Sequence, residues 1–131
     1  MIYLDSCALV KIVLDEPESQ ALEEHLFNHA STMQISSELA ALEVIRALVR
    51  LEVDGEVRSN AKVFLKDFAR LPVKSALPHA MDQPDRYLRS LDALHLATAE
   101  MFGSTLTQFI TYDKRLAQAA EDAGLPVVAP A

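Results

Sequence analysis

The sequence predicts an α/β fold in which a central, mainly parallel sheet is flanked by helices in three layers. Three observations predict it. Short apolar runs at Ile2–Leu4, around Met33–Ile35, at 109–111 ("FIT") and in the closing "PVVAP" have strand character. The longer segments between them carry apolar residues at helical spacing. Strands separated by helices, rather than by tight turns, come back parallel to one another with helices on both faces. With 131 residues, 50% of them hydrophobic, and only 3 glycines, the chain has the size of one compact domain, residues 1–131.

Ile2–Leu4 reads as a short buried strand, followed by a helix over Ser6–Leu14 that Asp5 or Ser6 caps and the "DEPES" turn stops. A second helix covers Glu18–Phe27. The serines after Met33–Ile35 are suited to cap a long helix, about Ser37–Asp54, with Gly55 as its C-terminal residue in the left-handed region. Another helix spans about Val57–Leu71. Residues 72–88 hold three prolines and no clean period, which predicts loop with one short strand near Val73. A helix capped by Ser90 runs to about Phe102, and the last helix, Lys114–Ala123, ends at Gly124. Met33, Met81 and Met101 are expected to fill gaps in the core. There is no internal repeat and no low-complexity run.

A net charge of −7 gives the chain no global positive field to draw it to a polyanion. Any such binding must be local. The one cysteine, Cys7, has no internal disulfide partner, in keeping with a reducing compartment. No window is long and apolar enough for a membrane span, and the N-terminus lacks the pattern of a signal peptide, so a cytoplasmic location and no membrane partner are expected.

The informative residues are acidic. In an open parallel sheet, ligands gather at the C-terminal ends of the strands. Asp5 follows "IYL" there, and Asp113 follows "FITY" in the same pattern of strand, aspartate, helix. Either alone reads first as a helix N-cap; two on one sheet edge can face a common cleft. On the helix over Ser37–Asp54, Glu43 shares a face with Leu39, Leu42, Arg46, Val49 and Val53. A carboxylate buried there needs a cation, whether Arg46 or a metal ion, or it becomes neutral. Val44, Leu48 and Leu51 make the remaining face apolar, to be covered by other helices or a second subunit. Asp92 lies in the first turn of its helix, on a stripe with Leu96 and Ala99, where the helix dipole also favours an acid. His95 reads as a packed or hydrogen-bonded core histidine, since imidazole is a poor ligand for Mg²⁺.

If Asp5, Glu43, Asp92 and Asp113 converge, their repulsion, about 4 kcal/mol for one pair 4 Å apart at an effective dielectric near 20, calls for a divalent cation. An all-oxygen ligand set selects Mg²⁺ or Mn²⁺ over zinc. Such a site supports metal-assisted phosphodiester hydrolysis. Bound cations, helped by Lys11, Arg46, Lys114 and Arg115, would let an acidic protein accept a nucleic acid.

Four segments, "YLDSCALVK", "SSELAALEVIRALVR", "LRSLDALHLATA" and "FITYDKRLAQAAEDAGLPVV", together resemble the PIN-domain ribonucleases, specifically the VapC-type toxins of bacterial VapBC toxin–antitoxin pairs. The likeness spans nearly the whole chain except residues 55–88, with all four acids in order. It implies a PIN-like α/β/α fold and a Mg²⁺- or Mn²⁺-dependent endoribonuclease acting on cellular RNA of the tRNA or rRNA class. It also implies a VapB-type antitoxin as inhibitor and a homodimer. By the resemblance Asp5 and Asp92 are most directly tied to the metal, and Glu43 and Asp113 bind it directly or through water. Ser6 and Thr111 match hydroxyl residues that orient carboxylates or water, and Arg46 matches a basic residue that orients Glu43 or touches a phosphate. Thr111 stands where some PIN nucleases have a further acid, which leaves one or two ions open. The helices at 18–27 and 57–71 are expected to offer apolar faces to the antitoxin.

Two other classes compete. A PIN-like protein that binds without cleaving keeps the fold and drops the chemistry. An aspartyl-phosphate phosphatase needs a second aspartate where Cys7 stands, and a receiver domain needs an acidic pair near the first strand that is absent.

Overall fold

The computed structural model describes residues 1–131. Five parallel strands, β1 (Ile2–Leu4), β2 (Gln34–Ser37), β3 (Arg70–Leu71), β4 (Gln108–Ile110) and β5 (Val127–Val128), form one sheet in the order β3-β2-β1-β4-β5. The helices are α1 (Ser6–Val13), α2 (Ser19–Asn28), α3 (Glu38–Arg50), α4 (Gly55–Asp67), α5 (Val73–Met81), α6 (Ser90–Glu100) and α7 (Lys114–Asp122).

Alternation along the strands divides the core between two faces. Ile2 and Leu4 of β1 and Ile110 of β4 pack with Ala8, Leu9, Leu22, Val44, Leu48 and Leu65, beneath α1 to α4. Tyr3 and Phe109 point the other way and pack with Leu96, Ala99, Leu116 and Ala120 of α6 and α7. Their rings stack with centroids 5.3 Å apart. The register Leu4↔Ile110 puts the residues just beyond β1 and β4 side by side at the C-terminal sheet edge. Val44 and Leu48 are covered within the chain, as part of the first face, whereas Leu51 stays exposed.

Several boundaries differ from the sequence reading. Helix α3 ends at Arg50, and Glu52, not Gly55, takes the positive φ of 54° in the turn that follows. Gly55 instead opens α4. Residues 73–81 are a helix rather than a strand and loop; the strand precedes it, pairing Arg70 and Leu71 with Ser36 and Ser37. Pro72 and Pro78 mask this helix in the sequence, but Ala76 is buried against Leu39, Leu94 and Ala97, and that packing holds it. Arg89, not Ser90, is the N-cap of α6, with no side-chain capping bond. Met33, Met81 and Met101 are exposed, not core, because they lie at element ends beyond the packed layers. Gly124 does adopt a φ of 80° after α7. No helix is long and apolar enough to cross a membrane.

Candidate active site

Asp5 leaves β1 at the C-terminal sheet edge and caps α1, its Oδ1 accepting the Ala8 amide at 2.9 Å. Its Oδ2 accepts the hydroxyl of Thr111, the residue after β4 that the parallel register brings alongside. The carboxyl is almost wholly buried, and that desolvation raises its pKa to about 6. His95, the Thr111 hydroxyl and the Ala8 amide work against the rise, while Glu43 adds to it. Asp113 repeats the arrangement on the neighbouring strand: it caps α7, accepting the Arg115 and Leu116 amides at 2.9 Å each. Its own amide donates to Thr111 Oγ1 at 3.1 Å, so one hydroxyl ties the two strand ends together.

Glu43 projects from α3, half-buried, with Oε1 2.6 Å from His95 Nε2. His95 Nδ1 lies 2.6 Å from the hydroxyl of Tyr3, whose pKa burial pushes well above its ordinary value. Every buried polar atom finds a partner if Tyr3 O–H donates to Nδ1 and Nε2–H donates to Glu43. Asp92, in the first turn of α6, has its pKa raised by burial and then by Asp113, with Glu43 contributing in the same direction. Asp5, Ser6, Glu43, Arg46, Asp92 and Asp113 all line one cavity of about 580 Å³, with His95 in its wall. Cys7 also lines it, its thiol pushed up to about 12 by burial and by the four carboxylates, Asp5 foremost. That shared influence is electrostatic evidence that the four acids occupy one field.

The PIN domain family model matches residues 2–122. Ribonuclease VapC46 of Mycobacterium tuberculosis is 40% identical to this chain over 98% of it and 97% of the relative. The chain belongs to the VapC-type PIN-domain ribonucleases. Ribonuclease VapC35 of the same organism is 37% identical over 99% of this chain and 97% of its own length. Among solved structures, M. tuberculosis VapC20, described as a Sarcin-Ricin loop cleaving toxin, superposes with a TM-score of 0.71 at 15% identity, covering 99% of this chain and all of that one. FitAcB from Neisseria gonorrhoeae gives 0.68 at 18% identity, covering 97% and 96%. At those identities the structures speak to the three-layer fold alone.

In this VapC-type chain the cations divide unevenly around the acids. Arg46 lines the acidic cavity, joined by Arg50 and Arg89, which sequence reasoning did not single out. Arg50 was findable, one turn beyond Arg46 on the same helix face; Arg89 sits at a cap position where its type gave no signal. Lys11 is not among them. It pairs with Glu18 at 2.6 Å and Glu16 at 3.7 Å and lies over the Tyr112 ring. Lys114 and Arg115 line a neighbouring cavity instead.

No three His, Cys, Asp or Glu side chains meet as a ready, closed ligand set. Asp5 is bound at both oxygens and Glu43 at one. The donor chemistry nonetheless fits a hard ion, since Mg²⁺ keeps several waters and binds proteins through one or two carboxylates rather than through an all-protein cage. Burial is the main cause of the raised pKa values of Asp5 and Asp92, and a nearby cation would favour their ionised forms.

Proposed function

We propose that this VapC-type ribonuclease hydrolyses RNA phosphodiester bonds with Mg²⁺ or Mn²⁺ held by Asp5, Glu43, Asp92 and Asp113. One observation carries the reading: carboxylates from four separate elements open into one cavity at the C-terminal edge of the sheet. Bound there, the ion supplies an activated water and stabilises charge on the attacked phosphate. The chain's own groups set the stage. Thr111 and the Ala8 amide fix the Asp5 carboxylate, His95 orients Glu43, and Arg46 and Arg50 draw the phosphate backbone. Ser6, in the lining, would orient water.

The substrate class is cellular RNA such as tRNA or rRNA, encountered in the cytoplasm. A VapB-type antitoxin is the partner. Its candidate seat is the groove of about 320 Å³ between α1 and α4, lined by Ile12, Val13, Val57, Asn60, Ala61 and Phe64. On α2 Leu22 and Leu26 are buried in the chain's own core, which leaves exposed Phe27 as that helix's apolar contribution. Homodimer formation would cover exposed Leu77 and Met81 of α5.

The test is cleavage of total tRNA and rRNA by purified, antitoxin-free protein. Asp5→Asn is expected to lose at least the roughly hundredfold that disturbing a metal ligand's neighbour already costs. Cleavage by Asp5→Asn at the parent rate in Mg²⁺ and Mn²⁺ would overturn the assignment of Asp5. A parent inactive on every RNA class in both metals would overturn the nuclease reading itself.

A further inference from the structure

Beside the acidic cleft lies a second cavity, of about 550 Å³, whose lining includes Tyr87, Arg89, Asp92, Lys114, Arg115 and Gln118. Arg89 and Asp92 line both cavities, so the two are neighbours across the start of α6. The first sets four carboxylates against three arginines, whereas the second sets Asp85 and Asp92 against Arg89, Lys114 and Arg115 and adds an exposed aromatic ring. We propose that this second cavity is a nucleotide-binding subsite, which holds one unit of a single-stranded RNA beside the scissile phosphate. The proposal rests on the nuclease reading and adds to it where the substrate strand runs and in what form.

Charge comes first. None of Arg89, Lys114 and Arg115 makes a salt bridge, and all three are exposed. In a chain of net charge −7, a concavity where three cations free of salt bridges outnumber two carboxylates, Asp85 and Asp92, is a local exception to the global field, and local cations are what polyanion binding by such a protein requires. Arg46 and Arg50 line the acidic cleft from α3, which packs on the other face of the sheet from α6 and α7, so basic groups reach the cleft from both layers. A backbone of phosphates laid across it would meet positive charge, then the acidic centre, then positive charge again.

The aromatic ring decides the form of the ligand. Tyr87 is 78% exposed in the loop between α5 and α6 and adds nothing to the core. An Asx-type bond fixes its backbone, the Tyr87 amide donating to Asp85 Oδ1 at 2.9 Å. The Arg86 guanidinium lies 4.7 Å from the ring centroid and donates to the hydroxyl at 2.6 Å, which steadies the side chain as well. A ring held out in this way beside phosphate-binding cations suits stacking on an unpaired base. Paired bases present no free face to it. The volume is within the range of cavities that hold small ligands, and so ample for one nucleotide. An acidic protein segment would satisfy the cations but would leave the ring without a specific use, so RNA is the better fit.

The experiment measures binding of a fluorescent single-stranded RNA of about ten nucleotides to the full chain in Ca²⁺, by anisotropy over a range of salt, alongside cleavage in Mn²⁺. Lys114→Ala with Arg115→Ala should weaken binding about tenfold or more and flatten the salt dependence by roughly 0.7 for each phosphate no longer neutralised. Tyr87→Ala should weaken binding roughly five- to hundredfold while leaving the salt dependence unchanged. These side chains are exposed, so the variants should fold as the parent does. A hairpin with the same sequence in its paired stem should bind the parent and Tyr87→Ala alike.

Unchanged RNA affinity and salt dependence in the double variant, in a parent that cleaves RNA, would overturn the subsite and leave the nuclease reading standing. If the same substitutions instead weaken only the complex with the antitoxin, the cavity docks protein and the proposal falls. A parent that neither binds nor cleaves RNA overturns both.

Discussion

Nε2 of His95 lies 2.6 Å from Oε1 of Glu43, and the other ring nitrogen meets the Tyr3 hydroxyl at the same distance. A buried residue of β1 is thus linked through a buried histidine of α6 to a half-buried acid of α3. The histidine reaches the cavity wall, but both of its ring nitrogens are taken, which leaves neither free for substrate. It acts as a positioning residue, and Tyr3 fixes its ring in turn.

His95→Ala should therefore do two separable things. Taking the ring away from the buried Tyr3 hydroxyl, which keeps Ser36 and Ser37 beside it, should cost about 1 kcal/mol of stability in lost hydrogen bonding. Releasing Glu43 should lower Mn²⁺ affinity roughly ten- to hundredfold, read by calorimetry on folded protein. Tyr3→Phe keeps the Glu43 contact, so it should show the stability loss with much less of the affinity loss. Parent-like Mn²⁺ affinity in His95→Ala would make the contact purely structural.

That linkage also marks where the sequence stopped being legible. Asp5 and Asp113 could be found because a strand ending on an aspartate at a helix start is a local pattern. The alternatives it posed, N-cap or site residue, turn out to be compatible: each aspartate caps its helix and lines the cavity. A cap fixes the side chain at the sheet edge, which is what a site residue needs. His95 could be read as a core histidine, but its pairing with Glu43 spans 52 positions and leaves no trace in spacing. Helix α5 was hidden for another reason. Pro72 and Pro78 oppose a helix locally, and only the burial of Ala76 against α3 and α6 outweighs them.

The Asp5 carboxyl gives a pH-dependent prediction for the metal-free protein. Its pKa is raised from 3.8 to about 6 on folding, chiefly by burial. The neutral form is the one the fold accommodates. Its contribution is fully present below about pH 4 and is lost as pH rises through about 6, which amounts to about 3 kcal/mol at neutral pH. Asp5→Asn cannot ionise, so without metal it should be more stable than the parent at pH 7, with the advantage shrinking toward pH 4. Urea midpoints across that range measure it. A variant less stable than the parent at both ends would show that hydrogen bonding by the carboxylate, and not its desolvation, dominates.

Cys7 reports on the same field from inside it. Burial and then Asp5, Asp113, Glu43 and Asp92 push its thiol up from 9.0 to about 12. Only the thiolate reacts, so alkylation of native, metal-free protein near neutral pH should run about a thousandfold slower than for a free thiol. Replacing Asp5 by Asn removes the largest charge contribution and should speed the reaction. Equal rates in parent and variant, followed by mass spectrometry, would mean that burial alone protects the thiol.

Thr111 separates geometry from charge at the centre of the site. Its hydroxyl donates to Asp5 Oδ2 and accepts the Asp113 amide at 3.1 Å, so the one oxygen serves both strand-end acids. Thr111→Val preserves the shape and removes those bonds. The bond to Asp5 favours the ionised carboxyl, so its loss should move the Asp5 titration above its parent value of about 6. Carbon-detected NMR of the aspartate carboxyls resolves this directly in metal-free protein. The Asp113 amide, left without its acceptor, should add about 1–3 kcal/mol of instability. Metal affinity should fall with it, by the roughly ten- to hundredfold typical of a missing outer hydrogen bond. Thr111→Ser keeps the hydroxyl and gives up only a methyl group, so it should titrate and bind as the parent does. If Asp5 titrates at the same pH in Thr111→Val as in the parent, the hydroxyl does not hold the carboxylate, and the rigid placement of Asp5 rests on the Ala8 amide alone.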